Sequence, residues 1–222
     1  MKEFYAGYPV SKDYRKMAHE ICRPQMNNLV VIYFLLSIIL TVGAFVSVFF
    51  FFCGGLIVLT LCTLALSLSM IYVAKNVATN VEVKAENILH GFNYFGKVIG
   101  IYFLTGLYRF LWCLVPVVGP IISLVKMYSY SMALHVALDN PELTCNECIT
   151  ESRYIMDGYK WQLFCLNFSY IGWRILSHCT LGLLYLWVLP RMQQANYLLY
   201  LKASGIGYKL EVEKEAAMSQ TV

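Results

Sequence analysis

Apolar residues occur in six long blocks, at about 29–52, 56–74, 97–116, 120–138, 161–178 and 183–201, and most of the charge lies between them. Each block approaches the ~20 residues that a membrane-spanning helix needs. The longest begins at Asn28, "NLVVIYFLLSIILTVGAFVSVFFFFCGG", and holds no charged residue. The breaks "FCGG", "PVVGP" and "SHCTLG" are short, so successive blocks pair into hairpins at 29–74, 97–138 and 161–201. The expected architecture is an all-α polytopic membrane protein with six transmembrane helices. It consists of a cytoplasmic N-terminal segment (1–27), one membrane domain (28–201) and a cytoplasmic tail (202–222).

A shorter periodicity precedes each hairpin. "SKDYRKMAHEICRP" sets Tyr14, Met17, Ala18, Ile21 and Cys22 on one helical face, and "VKAENILHGF" does so with Ala85, Ile88, Leu89 and Phe92. "TCNECITESRYIMDG" repeats the pattern with Cys148, Ile149, Ser152, Ile155 and Met156. These spacings fit a period of 3.6, not of 2, and predict three amphipathic helices on the cytoplasmic surface. The segments end at Pro24, Gly91 and Gly158, which are 67 residues apart. A constant period suggests a threefold repeat, each unit an amphipathic helix followed by an out-and-back hairpin, all in one orientation.

Composition agrees: 59% of residues are apolar and 14% charged, with a mean hydropathy of +0.60. The three hairpin tips carry no Lys or Arg, whereas the segments on the other side hold nearly all remaining basic residues. The positive-inside bias then places both termini in the cytoplasm. The first block is too long and starts too late for a secretory signal. The eight cysteines lack the spacing of a disulfide framework and are expected to be reduced.

Four cations break the pattern. Residues 98–138 and 161–201 contain no carboxylate yet hold Arg109, Lys126, Arg174 and Arg191. The other thirteen basic residues balance the thirteen acidic ones, so the formal charge of +4 resides in these four side chains. Allowing a two-residue offset, Arg109 and Lys126 occupy the same places in the second unit as Arg174 and Arg191 in the third. At a rise of 1.5 Å per residue they fall roughly 5–15 Å inside the tips, where a charge is costly unless it snorkels or finds a partner. Polar residues share their helix faces: Thr105 with Arg109, Ser123 and Tyr130 with Lys126, Asn167 and Ser177 with Arg174, and Gln194 with Arg191. Pro190 removes a backbone donor next to Arg191 and frees a carbonyl. An outward-opening pocket between hairpins two and three is expected, lined by Arg109, Lys126, Arg174, Arg191, Asn167 and Gln194. Its counter-charge would come from an anionic lipid or amphiphile.

Cys145-x-x-Cys148 at a helix start would suit a low-pKa thiol, and His19 with Cys22 offers further metal-binding groups. However, Thr144 and Glu147 form a T-x-x-E capping box that accounts for the helix start, and no strand precedes the motif as a thioredoxin-like site requires. There is no phosphate loop, zinc-protease motif or nucleophile elbow. No catalytic residue, metal or cofactor is expected, and the balanced cytoplasmic charge gives no footing for nucleic acid.

"YSYSMALHVALDNPELTCNECITESRYIMDGYKWQLF", "FSYIGW" and "TLGLLYLWVLP" resemble a bacterial integral-membrane family known as domain of unknown function 975, most specifically over residues 128–190. Weaker similarity extends through "MAHEIC" and "ILHGFNYFGK". The resemblance implies a multi-pass helical protein of a bacterial cell membrane and brings no established activity, cofactor or catalytic residue. The family usually has small residues where Cys145 and Cys148 stand and an aromatic where Arg191 follows Pro190, whereas lysine is frequent at the position of Lys126. The leading expectation is a non-enzymatic protein that binds an anionic lipid or amphiphile, as part of a transport or envelope-homeostasis system. The alternatives are a membrane subunit or assembly factor that meets a protein partner, and a membrane thiol oxidoreductase.

Overall fold

The computed structural model describes residues 11–49, 54–79, 81, 83, 93–113, 119–180 and 182–207. The second amphipathic segment, the first two hairpin tips and most of the C-terminal tail lie outside them. All regular elements among the described residues are helices: α1 Ser11–Cys22, α2 Met26–Phe49, α3 Gly54–Ala78, α4 Phe95–Cys113, α5 Gly119–Tyr130, α6 Ala133–Asp139, α7 Cys145–Ile155, α8 Lys160–Ser169, α9 Ile171–Cys179 and α10 Tyr185–Ala203. The six apolar blocks thus coincide with helices. The fourth is interrupted at residues 131–132 and the fifth at Tyr170. By length and apolarity, the helical run Ile121–Asp139 suffices to cross a membrane, and Ser11–Cys22 with Met26–Ile39 pass only as a pair bent by 97°.

The helix boundaries follow from local chemistry. Thr144 Oγ1 accepts from the Glu147 amide at 3.4 Å while Glu147 Oε2 accepts from the Thr144 amide at 2.7 Å, so the predicted capping box is formed. The hydrogen bond from the Thr144 amide, with a smaller contribution from the Thr144 hydroxyl, holds the Glu147 carboxyl below its usual pKa range. Downstream of α7, Gly158 has φ +79°, and beyond α9 Gly182 has φ +85°. This left-handed conformation favours glycine and lets the chain turn into the next helix.

The hairpin legs pack in antiparallel pairs, α2 on α3 and α4 on α5, and α10 runs down the middle against α1, α2, α3, α8 and α9. The amphipathic helices go further into this bundle than a surface location would allow. Tyr14, Ala18 and Cys22 of α1 are fully buried, and α1 packs against α8 and α10, the two legs of the third hairpin. Cys148, Ile149 and Ser152 of α7, with Met156 just beyond it, are buried likewise against α4, α5 and α6, the legs of the second hairpin. The predicted apolar faces of α1 and α7 are therefore turned into the bundle, with Met17, Ile21 and Ile155 partly buried at their edges, while Ala85, Ile88, Leu89 and Phe92 lie outside the described residues. What they cover is protein: burying such a face against helix legs gains about 1.5–3 kcal/mol per large side chain.

Exposure divides the bundle. At the base of the hairpins the core is dense: Val98 and Ile101 of α4, Val136 of α6, Leu163 and Leu166 of α8, and Leu198 to Leu201 of α10 are buried. Nearer the tips, large apolar side chains face outward, with Phe103 69%, Phe110 63%, Ile121 68% and Ile175 61% exposed. The outer face of α2 adds Phe34, Ile38 and Val42.

One contact sets the approach of α4 and α7. A Cβ built on Gly100 would lie 2.6 Å from Cys145 Sγ, and that thiol donates to the Lys97 carbonyl at 3.7 Å. Gly100→Ala should therefore lower the thermal midpoint, because overpacking costs about 1–3 kcal/mol. In a Cys145→Ala background the same change should raise it, since alanine is worth roughly 0.5–1 kcal/mol over glycine in a helix. A Gly100→Ala effect of the same sign in both backgrounds would contradict this contact.

Candidate functional site

Of the four intrahelical cations, the structure puts Arg191 and Lys126 in separate cavities. Arg109 and Arg174 line neither and are exposed. Asn167 is half-buried on α8, and its carbonyl accepts from the Tyr170 amide at 3.2 Å. Gln194 is 1% exposed, with its Nε2 lacking a hydrogen-bond partner. The polar residues expected beside the cations are mostly occupied elsewhere. Thr105 Oγ1 donates to the Ile101 carbonyl at 2.8 Å and Ser177 Oγ to the Trp173 carbonyl at 2.7 Å. The six predicted residues do not share one pocket between hairpins two and three. The burial of α1 and α7 is the cause, because each amphipathic helix brings its polar face into a cleft beside one of the cationic legs.

The larger cavity, about 620 Å³, lies between α1 and the third hairpin. From α1 come Lys12, Arg15, Lys16, His19 and Glu20; from the hairpin come Ser169, Tyr170, Trp173 and Arg191. Arg15 is fixed by two contacts. Its guanidinium donates to Ser169 Oγ at 2.7 Å and lies 5.3 Å above the Tyr170 ring. Opposite it, Arg191 is half-buried and its Nε is buried without a partner. The backbone around Pro190 is stabilised by side chains from both walls: Cys22 Sγ donates to the Pro190 carbonyl at 4.0 Å and Tyr170 Oη to the Arg191 carbonyl at 3.5 Å. Burial pushes the Cys22 thiol up to about 12, against the opposing pull of Arg191, so this cysteine is a packed apolar group. Four formal positive charges thus converge on the cavity with one carboxylate, Glu20, on its wall. Among the described residues none of the four cations has a carboxylate partner within salt-bridge distance.

Arg191 was legible as a site residue from its place in an apolar block. Its companions were missed, although the helical periodicity of α1 already separated Lys12, Arg15, Lys16 and His19 from the buried Tyr14, Ala18 and Cys22. What periodicity does not convey is which hairpin α1 covers.

A second polar cluster ties the base together. Asp139 Oδ1 accepts from Lys75 Nζ at 2.8 Å and Oδ2 from Tyr200 Oη at 2.7 Å, joining α3, α6 and α10. One turn earlier, His135 is buried against the Tyr197 and Tyr200 rings, with centroids 6.1 and 5.1 Å away, and its Nδ1 has no partner. The Cys-x-x-Cys pair is packing material in this setting. Both thiols are free, and burial pushes Cys148 up, opposite to the depressed pKa of a redox-active thiol. No group of three or more His, Cys, Asp or Glu side chains suited to a metal ion occurs among the described residues.

The fold and pockets define a class: among the described residues, an all-helical bundle of hairpins with apolar outer faces and two cationic clefts, each between an amphipathic helix and a hairpin leg. Residues 121–205 match the model of the family described as "Protein of unknown function (DUF975)". The match takes in α5 to α10, with Lys126, Asp139, the capping box, Tyr170, Arg191 and Tyr200, and bears out the resemblance over residues 128–190. No curated protein matches the chain, and no solved structure does.

Proposed function

We propose that the chain is a non-enzymatic, six-span protein of a bacterial cell membrane, with both termini cytoplasmic, that binds an anionic lipid or amphiphile in the cleft between α1 and the third hairpin. The observation that carries it is the convergence of Lys12, Arg15, Lys16 and Arg191, opposed by Glu20 alone, on one cavity. Cations held together without counter-charge repel one another, so a phosphate or carboxylate placed among them is favoured. Arg15 and Arg191 present the planar forks that suit such a group. Trp173 is 43% exposed on the cavity wall, beside exposed Ile171 and Leu176. An acyl chain could lie there while its head group meets the arginines.

The membrane placement is supported by the outward-facing Phe103, Phe110, Ile121 and Ile175, since soluble monomers rarely expose large contiguous apolar patches. The threefold repeat is supported by α1 and α7. Buried Tyr14, Ala18 and Cys22 stand 134 residues, twice 67, before buried Cys148, Ser152 and Met156. Each of the two helices also packs on both legs of one hairpin.

Single cysteines placed at position 12 and at position 202 of a cysteine-free chain should both be shielded from a membrane-impermeant maleimide in intact cells and labelled after permeabilisation. Labelling of either in intact cells would refute the topology. For the binding itself, Arg15→Gln with Arg191→Gln should abolish co-purification of anionic lipid.

A second role, as a subunit that meets a partner's acidic spans, is favoured by Arg109 and Arg174. Each is exposed within an outward apolar face, Arg109 beside Phe110 and Arg174 beside Trp173 and Ile175.

A further inference from the structure

The smaller cavity, about 250 Å³, lies between α5, α7 and the start of α8. Lys126, Arg153 and Lys160 reach it from three different elements, with the hydroxyl-bearing Ser129 and Thr150 and one carboxylate, Asp157. Asp157 is already engaged by Lys160 at 3.5 Å. Lys126 Nζ lies 5.7 Å above the Trp112 ring, a contact that supports an ammonium without neutralising it. No carboxylate pairs with Lys126 or Arg153 among the described residues. Three cations against one carboxylate leave a formal charge of +2, which matches a phosphate monoester at neutral pH, at about −1.5 to −2. The space suits a compact tetrahedral oxyanion and is less than half that of the larger cavity.

Its place in the fold matches that of the larger cavity. Thr150, Arg153 and Tyr154 of α7 stand 134 residues after Lys16, His19 and Glu20 of α1, and both sets line their cleft. In each cleft the amphipathic helix of one unit faces a cation on a hairpin's return leg: Arg191 opposite α1, Lys126 opposite α7.

We infer that Lys126, Arg153 and Lys160 form a second anion site, which takes a phosphate-type oxyanion: free phosphate, or the head group of a lipid bearing a phosphate monoester. Arg153 gives the directional hydrogen bonds and Lys126 the charge from the membrane side. The site does not depend on what the larger cavity binds.

The test uses the full chain in phosphatidylcholine nanodiscs, with the thermal midpoint as readout. Inorganic phosphate is titrated against chloride of equal ionic strength in one arm, and nanodiscs doped with phosphatidic acid, read against nanodiscs holding as much phosphatidylglycerol, form the other. Protection by free phosphate alone identifies the soluble source; protection only in the doped nanodiscs identifies the lipid. In either case Lys126→Gln and Arg153→Gln should weaken the protecting anion by about tenfold or more, since one charge-assisted hydrogen bond is worth that much. Arg153→Lys should retain part of the effect, and Arg109→Gln, which removes a cation that lines neither cleft, should leave it intact. Equal protection of the wild type and the Lys126→Gln/Arg153→Gln pair would overturn the inference. So would the absence of protection beyond chloride in the first arm together with none beyond phosphatidylglycerol in the second.

Discussion

Replacing Asp139 with alanine should destabilise the protein by about 2–4 kcal/mol, the largest effect of any single change considered. The carboxylate joins Lys75 of α3 to Tyr200 of α10 through hydrogen bonds of 2.8 and 2.7 Å. Its side chain is 15% exposed and that of Lys75 35%, so solvent screens part of the ion pair and the lower half of the range is expected. Tyr200 is fully buried, and without Asp139 its hydroxyl loses its acceptor. A loss of this size should lower the thermal midpoint by roughly 5–12 °C for a chain of this length. Asp139→Asn keeps one acceptor oxygen and should cost less. Tyr200→Phe removes a single hydrogen bond and should cost about 1 kcal/mol. A midpoint that moves by less than about 2 °C in Asp139→Ala would show that the three helices do not depend on this junction.

Arg15→Gln and Arg191→Gln should have the second largest effect, on binding. A hydrogen bond to a charged group is worth about 1.5–3 kcal/mol, so each substitution should weaken an anionic amphiphile by about 10–100-fold. Together they should remove it at ordinary concentrations. The two variants should differ in stability. Arg15 also bonds Ser169 and lies over Tyr170, so its loss loosens α1. Arg191 has its Nε buried without a partner, so glutamine there should leave the midpoint of the ligand-free protein near that of the wild type. Lys12 and Lys16 are exposed and screened by salt. Their replacement should chiefly flatten the salt dependence of binding. Loss of stability with lipid retained would identify the arginines as structural cations.

The sequence was most informative wherever one helix face decides the outcome. Periodicity identified Tyr14, Ala18 and Cys22, and Cys148, Ser152 and Met156, as buried sets because a 3.6 repeat permits only one such face per helix. Thr144 and Glu147 specified the start of α7 because a capping box is a local device, complete within four residues. Arg191 and Lys126 stood out because a cation in an apolar block is costly wherever it points. What remained hidden was pairing between distant elements. The apolar face of α1 is equally satisfied by a membrane surface or by the legs of hairpin three, and only the second brings Arg15 to Arg191. Likewise, nothing local to Asp139 tells that Lys75, 64 residues away, and Tyr200, 61 residues away, complete its environment. The four cations therefore read as one set along the chain, while in space Arg191 faces α1, Lys126 faces α7, and Arg109 and Arg174 lie exposed outside both clefts.

The most direct measurement of the central claim is native mass spectrometry of the full chain released from nanodiscs of neutral lipid mixed with phosphatidylglycerol, an anionic phosphodiester rather than the phosphate monoester assigned to the smaller cleft. The wild type should retain anionic lipid selectively, Lys126→Gln should retain it at the same level through the larger cleft, and Arg15→Gln with Arg191→Gln should emerge without it. Retention of the same anionic lipid by the double arginine variant, or no preference for anionic over neutral lipid in the wild type, would contradict the assignment of the cleft between α1 and the third hairpin as the binding site.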